Sequence, residues 1–301
     1  MNSRVLKSSL TSAAFLAALA SGCGSSDPVE SGGSGSVTFT TWGEEYIEQG
    51  IPADDGDHSG FVDGWSVRYD KFLVNFQSIR LANSRGESAG MQARSLLVDN
   101  TVAGVKSLRA FAEVPAEAWD RISYEIAPVT PDTELAQSTG EDAKALMLDG
   151  KFSVYVAGTA SKATLEKKFA WGFAIGTHYS DCHAEQDGRD QPGIVVTNNT
   201  NIDVQLTTHG DHPFYDRLQS SADPTILTSL RFQAIANADA DADGEVTLEE
   251  LDATPLDVRV YDQSGLRAPT LGAFVTALAR TIGHFRGEGE CSVSAVPSEP
   301  R

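Results

Sequence analysis

Between residues 239 and 250 the chain reads DADADGEVTLEE, with carboxylates at Asp239, Asp241, Asp243, Glu245 and Glu250, a hydroxyl at Thr247 and a glycine at Gly244. Oxygen donors at alternate positions around a flexible residue suit a backbone that wraps one ion. The donor set is hard, which favours Ca2+. Mg2+ demands a tighter octahedron and keeps its waters, and softer metals prefer imidazole or thiolate. Carboxylates crowded into so short a stretch also repel one another unless a cation lies between them. The competing reading is a solvated acidic turn.

A second group of donors lies in TTHGDHPFYD, residues 207–216, which brings His209, Asp211, His212 and Asp216 close in sequence. Neutral imidazoles with a carboxylate can ligate Zn2+ or Cu2+. His209, Asp211 and His212 therefore form a candidate second metal site, with His178 and His183 of THYSDCHAE as partners from another loop. The spacing matches no metalloprotease helix motif, and Pro213 opposes a helix through His212. The alternative is that these residues cap the next helix and bond loop backbone. Neither Cys182 nor Cys291 sits in a catalytic signature, and there is no phosphate-cradling glycine loop or dinucleotide fingerprint. The residues lean toward a binding protein rather than an enzyme.

The elements that would position these donors are mostly strands. The chain has 301 residues, 41% hydrophobic and 22% charged, enough for a large core. Its 42 acidic against 23 basic residues give a net charge of -19, which leaves no basic footprint for a nucleic-acid partner and reads as solubility. From residue 37 to 212, segments such as KFSVYVAGTA and DRISYEIAPV alternate apolar and polar residues between Gly, Pro, Asn and Asp punctuation. The pattern predicts a mainly β body, an antiparallel β-sandwich. Residues 213–301 change period. DPTILTSLRFQAIANA, residues 223–238, and PTLGAFVTALARTIGHF, residues 269–285, place apolar residues at helical spacing, the second behind a Thr270 cap. A C-terminal α-helical segment is expected there.

The N-terminus reads as a secretion signal, residues 1–22, with Arg4 and Lys7 before an apolar run too short to span a membrane. GSSDPVESGGSGS, residues 24–36, reads as a flexible Gly/Ser tether. Export into an oxidising compartment predicts a disulfide between Cys182 and Cys291, the alternative being two buried thiols.

Two resemblances add to this reading. Loop 239–250 resembles the EF-hand. On that likeness Asp239, Asp241 and Asp243 take positions 1, 3 and 5, Gly244 makes the turn at 6, and Glu245 gives its carbonyl at 7. Thr247 acts at 9 and Glu250 binds bidentately at 12, with Val246 at 8 packing behind the ion. A second loop, DGDHSGFVDGWS, imitates the start with Asp55, Asp57, Ser59 and Gly60 but ends on Ser66 rather than Glu. An EF-hand without a paired loop suits a stabilising Ca2+ better than a signalling one. The segment LASGC resembles the lipobox of bacterial lipoproteins, which implies cleavage before Cys23, acylation of Cys23 and attachment to the membrane through its acyl chains. Gly24 after it implies an outer-membrane address. The expectation is a lipid-anchored, calcium-binding exported protein. The alternatives are a transition-metal protein or metal-dependent enzyme using His209 and His212, and a surface adhesion module.

Overall fold

The computed structural model describes residues 32–56, 59–137, 139–186, 188–218, 228–263 and 265–296. The expected signal sequence, Cys23 and most of the expected tether lie outside them. The fold is mainly β, 47% strand and 14% helix.

The strands run β1 Ser34–Thr41, β2 Ser66–Ala82, β3 Ser88–Gln92, β4 Leu96–Asp99, β5 Lys106–Pro115 and β6 Ala118–Trp119. They continue with β7 Arg121–Ile126, β8 Glu134–Leu135, β9 Val154–Lys162, β10 Leu165–Phe173, β11 Thr177–Gln186 and β12 Arg189–Pro192. The last are β13 Ile194–Val195, β14 Asn201–Thr208, β15 Glu245–Val246, β16 Gly283–Phe285 and β17 Glu290–Ala295. The helices are α1 Glu44–Glu48, α2 Glu141–Asp149, α3 Gln233–Ala236, α4 Leu248–Ala253 and α5 Leu271–Leu278.

One sheet orders its strands β16-β14-β1-β5. The larger sheet runs β12-β11-β7-β2-β9-β10-β15, with β3, β4, β8 and β17 attached to its flanks. Period-two alternation explains the facing. Val154, Val156 and Ala160 of β9 and Ile122, Tyr124 and Ile126 of β7 are buried while their neighbours are less so. The long β2 shifts register near Tyr69 and again between Gln77 and Arg80, so its first half pairs with β9 and its second half with β7. Such bulges bend a strand and let a sheet curl. Both sheets contribute to one apolar cluster, from Val37, Phe39, Val204 and Leu206 on one side to Phe72, Val156, Phe169 and Trp171 on the other.

The structure departs from the sequence expectations in several places. Most pairings are antiparallel, but β1 and β14 run parallel, as do β10 with β15 and β4 with β8. The tether expected to reach residue 36 gives way to β1 at Ser34, whose backbone pairs with Pro115 and then with Asn201. Pairing on both edges overrides the poor strand propensity of Gly and Ser here. Gly35 fits because a Cβ there would stand 2.6 Å from the Thr200 carbonyl.

The expected C-terminal helical segment is shorter in helix than its periodicity suggests. Of residues 223–238 only Gln233–Ala236 are helical among the described residues. Leu230 instead bridges Phe61 and Tyr215, because Phe232 is drawn into the aromatic core beside Trp65 and Phe61. The second helix starts where expected, with Thr270 Oγ1 accepting from Ala273 N at 3.2 Å, but it ends at Leu278. Its expected last turn becomes strand β16, which pairs with β14. Cys182 of β11 and Cys291 of β17 are joined by a disulfide across adjacent strands. No helix among the described residues is long and apolar enough to cross a membrane.

Candidate metal centres

The acidic loop follows α3 and leads into α4. Ligand oxygens of Asp239, Asp241 and Glu250 lie within 4.8 Å of one another. Local hydrogen bonds fold the loop into this shape. Gly244 N donates to Asp239 Oδ2 at 3.1 Å, Asp243 N to Asp241 Oδ1 at 3.2 Å, and Glu245 N to Asp243 Oδ1 at 2.8 Å. Gly244 adopts φ +90°, a left-handed conformation that a side chain would strain. Glu250 sits on the first turn of α4. Its Oε2 accepts from Thr247 N at 2.9 Å while Thr247 Oγ1 accepts from Glu250 N at 3.2 Å, a capping box. Glu250 Oε1 accepts from Ala240 N at 2.8 Å, closing the loop end to end.

What the loop rests on was not legible in the sequence. β15, the Glu245–Val246 pair in mid-loop, aligns in parallel with Lys168 and Phe169 of β10. Lys168 N donates to Gly244 O at 2.8 Å, and the indole N–H of Trp171 donates to Val246 O at 2.8 Å. Val246 is fully buried. The edge of β10 thus supports the middle of the loop. Lys167 of β10 forms an ion pair with Asp239 Oδ2. Lys167 and the Gly244 N–H hold the Asp239 carboxyl below its ordinary range, and bonds from Thr247 do the same for Glu250. The other oxygen, Asp239 Oδ1, is buried without a partner, on a side chain with 0% exposure.

The second centre lies at the end of β14. Residues 206–216 are buried without interruption, although most of the stretch is polar in sequence. Phe214 anchors it, with its ring 5.2 Å from Phe61, 5.8 Å from Phe232, 5.9 Å from Phe169 and 6.0 Å from Trp171. Tyr69 OH bonds the Gly210 carbonyl. His209, Asp211 and His212 present ligand atoms within 4.8 Å of one another. The expected partners do not join them. His178 and His183 lie on strand β11 rather than a loop, the first 3.5 Å from Glu125 and the second bonded to Asp190. Asp216 is also directed elsewhere, accepting from Arg231 Nε at 3.1 Å and Ser229 N at 3.0 Å.

In their place stands His284 of β16, a residue the helical reading had at a helix end. β14–β16 pairing sets His284 opposite Thr207, and its ring centroid lies 4.2 Å from His209 and 5.0 Å from His212. Glu288, exposed in the turn after β16, forms a second group of the same reach with His209 and His284. Glu44, at the start of α1, approaches His209 Nδ1 at 3.5 Å. Burial pushes the Glu44 carboxyl up to about 7 against the pull of His209, and raises Asp211 as well. Burial likewise lowers His284 to about 3 and takes His212 well below its ordinary value, each helped by neighbouring imidazoles. Their lone pairs are therefore free at neutral pH.

GESAG, residues 86–90, has the letters of a Gly-x-Ser-x-Gly nucleophile elbow, a motif that needs a strand–turn–helix setting. Here it spans the β2–β3 hairpin turn, and Ser88 Oγ donates to the Leu81 carbonyl at 3.3 Å. It builds no elbow. The imitation loop at residues 55–66 is described only in part, since Asp57 falls outside the described residues. No protein-family model, no curated protein and no solved structure matches the chain, so both centres are read from their own geometry.

Proposed function

We propose that the protein binds one Ca2+ in loop 239–250 and that the ion fastens the C-terminal segment to the β body. The buried, unpartnered Asp239 Oδ1 carries this reading, because an unpaired carboxylate oxygen out of water is costly unless a cation reaches it. Asp239, Asp241 and Glu250 would hold the ion, joined by Asp243, the Glu245 carbonyl and Thr247 as in the EF-hand that the loop resembles. The ion would neutralise their mutual repulsion. Because β15 is bonded to β10 and Val246 packs under Trp171, ordering the loop also orders a sheet edge.

In this reading the two sheets form a sandwich over the shared core, and α3, the loop and α4 make a single EF-hand. Cys23 is acylated after cleavage of residues 1–22 and anchors the chain to the outer membrane, in the periplasm or at the surface. An exported site meets abundant, steady calcium, which favours a staple over a switch. Elemental analysis and calorimetry on the purified mature protein test this, with one Ca2+ per chain expected. Absence of calcium binding in Asp239→Asn and Glu250→Gln variants is the matching result, and unchanged binding in both overturns the assignment.

A further inference from the structure

Three buried polar atoms around His209 lack partners: His209 Nε2, Asp211 Oδ1 and His284 Nδ1. His209, His212 and His284 are at most 6% exposed and Asp211 is 9% exposed. Leaving such atoms unpaired in a packed interior is unfavourable, so their clustering needs an occupant. The second ligand atoms of His209 and Asp211, and Nδ1 of His212, are already engaged. His209 Nδ1 faces Glu44 at 3.5 Å, His212 Nδ1 bonds Thr281 Oγ1 at 2.8 Å, and Asp211 Oδ2 accepts from Tyr215 OH at 2.9 Å. Outer partners of this kind fix ring orientation and leave the inner atoms for a metal.

We propose that His209, Asp211 and His212 hold a divalent first-row transition ion, with Zn2+ and Cu2+ the best matches, at a site independent of the calcium loop. Two imidazoles and one carboxylate are a borderline donor set that hard cations do not prefer. Donors on a tetrahedral Zn2+ at about 2.0–2.2 Å stand about 3.3–3.6 Å apart. The triad atoms lie within 4.8 Å of one another, so the contraction that such an ion requires is at most about 1.5 Å. Glu288, grouped with His209 and His284, places one donor of the wider cluster at the surface. Phe214, two residues after His212 and locked among aromatic rings, anchors the backbone that carries the triad.

Co2+ serves as a spectroscopic probe on the Ca2+-saturated protein, followed by displacement with Zn2+ and calorimetry with Zn2+ and Cu2+. One Co2+ per chain with visible d–d absorption is expected. His209→Gln and His212→Gln should each weaken Zn2+ binding about 100-fold or more, and Glu44→Gln, which removes an orienting partner only, about tenfold. Near-UV circular dichroism checks folding, and Glu44→Gln carries the test if a histidine variant does not fold. Glu250→Gln and His183→Gln should leave Co2+ uptake unchanged, which separates this site from the calcium loop and from β11. Failure of all three ions to bind one to one, binding that survives loss of His209 and His212, or binding abolished by His183→Gln overturns the proposal.

Discussion

Glu250→Gln is the most direct perturbation of the proposed calcium staple, because Glu250 would have two separable roles. Its two oxygens accept three hydrogen bonds, from Ala240 N, Thr247 N and Thr247 Oγ1. A glutamine has one carbonyl oxygen, so it keeps either the Thr247 pair or the Ala240 bond. Keeping the pair leaves the Ala240 N–H facing an amide NH2, a cost of about 1 kcal/mol without calcium. At about 2–4 °C per kcal/mol, the calcium-free melt should fall by that amount. The calcium-dependent effect is larger. With Ca2+ at about 100 times its dissociation constant, binding adds about 2.7 kcal/mol to the wild type, a rise of about 5–11 °C over chelator. The variant lacks the bidentate carboxylate and should lose nearly all of that rise. Differential scanning calorimetry in CaCl2 and in EGTA reads both quantities. A wild-type melt insensitive to calcium, or a variant that keeps the full rise, refutes the reasoning.

Other outcomes follow from the same structure. Lys167→Met removes a cation beside Asp239 and should tighten calcium binding about five- to thirtyfold, from about 1–2 kcal/mol of relieved repulsion. Calorimetry showing equal or weaker affinity contradicts it. Cys182→Ser with Cys291→Ser opens a loop of 109 residues' separation and should cost on the order of 4–5 kcal/mol, lowering the melt by about 8–20 °C. A fall of under about 2 °C contradicts that. Tyr69, Tyr124, Tyr179, Tyr215 and Tyr261 have their phenols pushed up chiefly by burial. A raised folded pKa gives stability that is complete below the unfolded value near 10 and is lost as pH climbs above it. Phenolate absorbance from these five should therefore appear together with loss of near-UV dichroism at alkaline pH. Reversible ionisation near pH 10 in a folded chain contradicts this.

The strands were legible because alternation is local: Ile122, Tyr124 and Ile126 announce their face whatever they pair with. Their partners were not, since nothing in Ser34–Ser36 signals pairing on both edges, and the parallel β1–β14 match joins segments far apart in the chain. Helical periodicity at residues 223–238 misled for a related reason. Leu230 and Phe232 satisfy a helical stripe and an aromatic core equally well, and packing against Phe61 and Trp65 decided between them.

By itself the sequence determined the donor spacing of loop 239–250, because a ring of ligands from consecutive residues needs only local turns and one glycine. It also supplied the cysteine pair and His209, Asp211 and His212. Only the tertiary structure decided what surrounds them: β10 and Trp171 under the acidic loop, and His284, Glu44 and Thr281 around the histidines. These neighbours arrive from separate strands and a helix start. Their placement depends on strand pairing and core packing, which no local spacing encodes.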